Sequence, residues 1–328
     1  MEDQIFFTTG ALKDKVDKRD LHLASITAPV LDKPKKFILK DLFPSKNQYS
    51  LGSCTSQAQT HHKERQEKVK LAARFVMALT KMIEGNTQYG AYTRNSFKVV
   101  NKYGACEETL YPETGSIMSW EEYIDHTKIP EACLANGLIH KSHSYWSIAN
   151  NIPALKDALL TYGPKDMSVV VSMKWYREFN RPENGVLPYK FEAYVGGHAI
   201  ELIGFDDDTR LLTFKNSWSE AWGDKGNFHM PYDIFSRVMM DAWISLDVPA
   251  EVAVDVFYHQ KRTWTSFLRE QAMAFNPWLR KKIGRLPNNR EIKGLAYGFW
   301  EYEAIFEGKY GDIWLHHTKP EAVQKGLI

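Results

Sequence analysis

Three residues on separate stretches of this chain could together carry acyl transfer. Cys54 follows the turn Gly52-Ser53, His198 follows Gly196-Gly197, and Asn216 stands in the run Lys215-Asn216-Ser217-Trp218. A thiol, an imidazole and an amide supply the nucleophile, the base and the orienter that a thiol hydrolase needs. Taken singly, Cys54 reads as a buried structural thiol and His198 as a satisfied core histidine. Their order along the chain, with two glycines before the histidine and Asn-Ser-Trp after it, reverses those readings.

The elements that must hold these groups are legible from periodicity. Two apolar runs, Ile200 to Phe205 and Leu211 to Phe214, are joined by the acidic turn Asp206-Asp207-Asp208, which predicts a β-hairpin. His198 enters its first strand and Asn216 leaves its second, so the two side chains can meet at one end. Cys54 opens a helix through Gln66, with Ser53 as its N-cap. The partial positive charge of a helix N-terminus favours thiolate over thiol there. That helix is unusually polar, with Gln57, Gln59, His61 and His62. The adjacent His61 and His62 point in different directions and have no Cys or His partner at ligand spacing, so a solvated helix face is expected and no metal.

With these residues in hand, the chain resembles the papain-like cysteine peptidases, and among them bacterial and phage-type members without a long pro-segment or disulfides. The matching pieces are Asn47-Gln48 with Gly52-Ser53-Cys54, Gly197-His198-Ala199, Lys215-Asn216-Ser217-Trp218 and Ala221-Trp222-Gly223-Asp224-Lys225-Gly226. They occur in the family's order, which sets histidine and asparagine roughly 130–150 residues after the cysteine. The resemblance covers roughly residues 15 to 247. It implies an α+β, two-lobed fold with a helical lobe and an antiparallel β-barrel-like lobe. It implies a cysteine endopeptidase with a Cys54 nucleophile, His198 as general base and acid, Asn216 orienting His198, and Gln48 in the oxyanion hole. Trp218 would shield the His198–Asn216 bond. Gly90, in Tyr89-Gly90-Ala91, would lie on the strip where substrate backbone pairs, and Gly197 would line the substrate site. No metal or organic cofactor is implied. An acyl-transferring amidase or transpeptidase on the same site, and a non-enzymatic interaction protein, are the alternatives.

Composition fits this reading. The 328 residues are 44% hydrophobic and 13% aromatic, enough for one or two domains with real cores. Formal charge is +2, from 42 Lys and Arg against 40 Asp and Glu, which gives no argument for a nucleic-acid partner. No apolar run reaches the roughly 18 residues of a membrane span. The acidic start, Met1-Glu2-Asp3-Gln4, is followed by no signal-type apolar core. Three cysteines, Cys54, Cys106 and Cys133, cannot form a disulfide framework. For Cys106 and Cys133 the readings are a single bridge between them or, preferred, buried thiols in a reducing compartment. Cytoplasmic or virion-associated location is the expectation.

Three regions follow from the chain in order. Residues 1–40 are read as an N-terminal arm. Its charged run Lys13 to Leu21 is a solvated lead-in on composition, whereas the family resemblance favours an ordered arm across the two lobes. Residues 41–250 form the peptidase domain, with the helical lobe at about 41–145 and the β lobe at about 146–250. Residues 251–328, rich in Lys, Arg, Trp and Tyr, are read as a helical extension that could dock a protein partner. The stretch Gly284 to Ala296 is only a weak helix-turn-helix likeness.

Overall fold

The computed structural model describes residues 7–27, 29–113 and 118–247, and the predicted helix at Cys54 and the predicted hairpin each lie in one of two lobes. The helical lobe holds α1 (Cys54–Glu67), α2 (Ala73–Glu84) and α3 (Thr93–Lys102). α2 is apolar along one face and stops where Gly85 adopts the left-handed conformation, its N–H bonding back to Lys81 and Met82 carbonyls. α3 stops before Gly104, at φ 78°. Leu71, Phe75, Val76 and Leu79 pack with Val99 and Val100, and Cys106 and Cys133 complete that cluster as buried free thiols. Two short helices follow, α4 (Trp120–Tyr123) and α5 (Glu131–Gly137).

The β lobe contains β4 (Ser144–Ser147), α6 (Ile152–Tyr162), β5 (Val169–Tyr176), β6 (Tyr194–Asp206), β7 (Leu211–Lys215), β8 (Asn227–Pro231), α7 (Tyr232–Val238) and β9 (Met239–Leu246). The strands pair antiparallel in the order β4-β9-β5-β6-β7-β8, and β2 (Lys36–Ile38) adds to β6. Residues 36–38 are therefore part of the β-lobe sheet. The predicted hairpin is β6–β7, with Leu202 opposite Phe214 and Glu201 opposite Lys215. The sequence extension at 251–328 lies outside the described residues.

α1 departs most from expectation. His61 and His62 were expected on a solvated face, yet α1 is buried from Cys54 to Arg65, packed against α2, α3, β5 and β6. Burial is tolerated because most of its polar groups find partners. His62 Nδ1 meets Ser168 Oγ at 3.0 Å and its Nε2 meets Ser245 Oγ at 2.9 Å. His61 Nε2 accepts from the Lys46 N–H at 3.2 Å. Glu64 pairs with Lys46 at 2.7 Å, and Arg65 with Glu201 at 2.6 Å. Lys63 binds Glu67 at 2.6 Å and also Asp247. Ser53 stands at the N-cap position, but its side chain makes no capping bond; its carbonyl accepts from Gln57 N–H at 3.0 Å.

Burial holds His61 well below the ordinary imidazole value and His62 at about 3, opposed for His62 by its bonds to Ser245 and Ser168. A histidine depressed in the folded state binds its proton more readily when unfolded, so stability is full above about pH 6.5 and falls as pH drops toward 3. We expect the urea midpoint to fall steadily between pH 6.5 and 4. His62→Gln should lower stability at pH 7 yet reduce that pH slope by about one proton. An unchanged slope in the variant would place the acid sensitivity elsewhere.

Candidate active site

The loop that leads into Cys54 and the loop that follows Asn216 lie against each other. Gln48 N–H donates to the Ser217 carbonyl at 2.9 Å, Ser219 N–H to the Lys46 carbonyl at 2.9 Å, and Asn47 bridges Trp218. This pairing brings the start of α1 to the end of the β6–β7 hairpin. Cys54, fully buried, packs against Ala199, the residue after His198.

His198 and Asn216 meet at the hairpin end as expected. His198 Nε2 lies 2.7 Å from Asn216 Oδ1. The Ser217 N–H donates to that same Oδ1 at 2.8 Å, and a backbone N–H can only donate, so this atom is the amide oxygen. Nε2 therefore carries the imidazole proton, leaving Nδ1 as the basic nitrogen; it is buried and engages no hydrogen-bond partner among the described residues. Trp218 stacks on the His198 ring at 4.8 Å between centroids, 28° from parallel. Trp175 meets the same ring edge-on at 4.8 Å.

Gln48 is buried beneath this pair. Its Oε1 accepts from Ser217 Oγ at 2.6 Å, so its Nε2 is turned the other way, donating to the Leu51 carbonyl at 2.8 Å and the Thr8 carbonyl at 3.2 Å. Ser217 thus orients both amides of the site. Sequence reading quoted it within its motif but gave it no role; Trp175 gave no signal at all.

Thr8 belongs to the arm, and the arm runs through the site. β1 (Ala11–Leu12) pairs parallel with β3 (Ala91–Tyr92) on the helical lobe. Gly10 N–H donates to the Gly197 carbonyl at 2.9 Å, and Ala91 N–H donates to the Gly10 carbonyl at 2.8 Å. Gly10 is hemmed in: a Cβ there would strike the Gly52 backbone, one on Gly90 would strike the Gly10 carbonyl, and one on Gly197 the Ala11 carbonyl. Gly90 and Gly197 thus mark the two walls of one track. Phe7 sits edge-on to Trp218, with ring centroids 5.5 Å apart. The run expected on composition to be solvated is part of an ordered arm from residue 7 onward.

Burial dominates the electrostatics of the Cys54–His198 pair. Burial pushes the Cys54 thiol up to about 12, against the pull of nearby backbone groups of Ala199, Gly10 and Thr55. Burial holds His198 down at about 4, opposed by its bond to Asn216. Burial thus works against the charged form of both groups, and at Cys54 it opposes the pull toward thiolate expected at the helix N-terminus. Among the described residues, no group of three or more His, Cys, Asp or Glu side chains could hold a metal ion.

Comparison with known proteins agrees with this geometry. The model of the papain family cysteine proteases matches residues 34–245. An uncharacterized peptidase C1-like protein of Acanthamoeba polyphaga mimivirus is 26% identical over 277 residues, covering 73% of this chain and 86% of that protein. Cathepsin B-like CP1 of Giardia intestinalis is 31% identical over 96 residues, 28% of this chain and 30% of its own length. Among solved structures, xylellain, a cysteine protease from Xylella fastidiosa, superposes with a TM-score of 0.65 at 25% identity, over 74% of this chain and 96% of its own. A procathepsin B from Trypanosoma congolense shares the fold with a TM-score of 0.57 at 13% identity. With that match spanning most of the helical lobe and the β lobe, the chain belongs to the papain family of cysteine proteases.

Proposed function

We propose that this chain is a cysteine endopeptidase that works through Cys54, His198, Asn216 and Gln48, and that its own arm closes the cleft. The observation that carries the reading is the bond from Gln48 Nε2 to the Thr8 carbonyl oxygen. A peptide carbonyl already sits where a substrate carbonyl would need a donor, beside the head of α1.

With the arm displaced and the site hydrated, the Cys54 proton passes to His198 Nδ1, while Nε2–H stays on Asn216. The thiolate sulfur attacks the peptide carbonyl carbon, and the electron pair moves onto the carbonyl oxygen. Gln48 Nε2 and the Cys54 N–H receive that charge. His198 returns its proton to the leaving amine as the C–N bond breaks, giving a thioester on Cys54. His198 then takes a proton from water, whose oxygen attacks the thioester and frees the acid and the thiol. Trp218 and Trp175 keep the imidazole in one plane through both proton transfers.

Turnover of a fluorogenic peptide by a chain lacking residues 1–13 tests the assignment. Cys54→Ala and His198→Ala should each abolish it with the fold intact; full activity in either would refute the reading. Gln48→Ala should lower kcat about 10²–10³-fold, and Ser217→Ala should lower it less, in the same parameter, since it only turns the Gln48 amide. Labelling of Cys54 by an epoxysuccinyl inhibitor, read by intact mass, should be about tenfold or more slower in the full chain than in the shortened one, because only the open fraction reacts. Equal rates would mean that the arm does not guard the cleft.

A further inference from the structure

The rings around His198 trace back to one residue outside the site. Along β5, Met173 lies opposite His198 and Trp175 opposite Gly196, so Trp175 is the diagonal neighbour of His198 on the same face of the sheet. Met173 and Trp175 are fully buried, and Lys174 between them is exposed. The pairing shifts register after Trp175, and the chain passes into one 3-10 turn, Arg177–Asn180. That turn is pinned to the β5–β6 connection. The Arg177 N–H donates to the Ala193 carbonyl at 2.8 Å, and Glu178 Oε1 accepts from the N–H groups of Glu192 and Ala193 at 3.3 and 3.2 Å. Asn180 is thereby turned back toward the indole five residues before it. Its Oδ1 accepts from Trp175 Nε1 at 2.8 Å, and its backbone carbonyl accepts from Trp222 Nε1 at 2.8 Å. An indole N–H can only donate, which fixes the facing side-chain atom of Asn180 as its oxygen.

Trp218, the ring stacked on His198, is held differently. Its Nε1–H engages no hydrogen-bond partner among the described residues, so its plane is set by packing. Trp175 and Trp222 supply that packing from the body of the protein, with centroids 5.0 Å from Trp218 at 83° and 82°. We propose that Asn180 is a positioning residue for His198: by holding two indole N–H groups it fixes Trp175 and Trp222, and through them the imidazole plane and the Trp218 ring that lies on it.

The kinetic consequence rests on the peptidase reading above. His198 has to receive a proton at Nδ1 and return it there while Nε2–H stays on Asn216. One hydrogen bond at Nε2 leaves the ring free to swing about that atom. Such a swing carries Nδ1 off the line to sulfur, and a misplacement of about 1 Å can cost about 10²-fold in rate. The edge of Trp175 and the face of Trp218 bound the swing, and neither indole keeps its place if the Trp175 N–H loses its acceptor.

Variants of the full-length chain test this. Asn180→Leu keeps the side-chain volume and the backbone carbonyl, and removes the acceptor of Trp175 alone; Asn180→Asp keeps that acceptor. By NMR, the Trp175 indole N–H should exchange with solvent about tenfold faster in Asn180→Leu than in the parent, with little change at Trp222. The two ring-nitrogen signals of His198, one protonated and one bare in the parent, should draw together in Asn180→Leu as loss of a fixed orientation admits the second tautomer. At saturating peptide, kcat should fall about tenfold with KM unchanged. Asn180→Asp should recover most of each effect. Ile203→Val, which loses a buried methyl group elsewhere in β6, should lower stability and leave kcat and the His198 signals as they are. Unchanged His198 signals and kcat in Asn180→Leu would overturn the proposal. So would equally faster exchange at Trp175 and Trp222, which marks a loss of stability alone. If the parent turns over no peptide, the peptidase reading falls and the His198 signals by themselves decide the positioning role.

Discussion

A buried helix made largely of polar residues has to be matched group by group, and that matching sets the geometry of this protein. α1 carries Lys63, Glu64 and Arg65 with almost no exposure, and each is ion-paired. Buried pairs of this kind gain little over a well-packed apolar core, yet losing one partner costs about 3–5 kcal/mol. Their consequence is positional. Arg65 holds Glu201, three residues along β6 from His198, and also the Lys40 carbonyl at 2.6 Å. The helix that presents the Cys54 thiol is thereby fixed against the strand that presents His198, at a second point roughly three turns away. Glu64 and Lys46 tie the same helix to the loop that carries Gln48.

The arm uses that rigid frame in the opposite sense. It enters over Trp218, passes the Gln48 amide, and threads between Gly90 and Gly197, where only backbone fits. Its hydrogen bonds in the track are made by backbone groups, but the passage at Gly10 admits no side chain. Further holds lie beyond the track, at Asp14 and Asp20, whose side chains engage α3 and β9. Closure thus separates a backbone hold on the cleft from a side-chain hold outside it.

How much of this was legible in the sequence depended on whether the signal was local. The β6–β7 hairpin and the meeting of His198 with Asn216 follow from apolar runs and turn residues, which are short-range features. The burial of α1 did not, because polar residues read as solvated unless their partners are known. Those partners, Ser168, Ser245, Lys46 and Glu201, are scattered over the chain and become neighbours only in the fold. Composition read the arm's charged run as solvated, and only the family resemblance favoured order. Lys15, Val16, Lys18 and Arg19 are indeed exposed, but Asp14 and Asp20 turn inward. A strand of two residues, β1, leaves no periodicity to find. β2 was folded into the arm for the same reason: three residues alternating around Phe37 are too few to mark a strand.

The point where the arm joins the body has a kinetic meaning. Leu23 is buried, and the Ser147 N–H holds the Leu21 carbonyl at 2.8 Å, so the arm is anchored to the body at this point. An arm freed from the track remains tethered beside it, at an effective concentration that for short flexible links is of millimolar order. On the reading proposed above, a substrate must outcompete this built-in rival. The cost then falls on apparent affinity, while turnover at saturation is untouched. An enzyme built this way ignores scarce peptides and responds when its substrate is abundant.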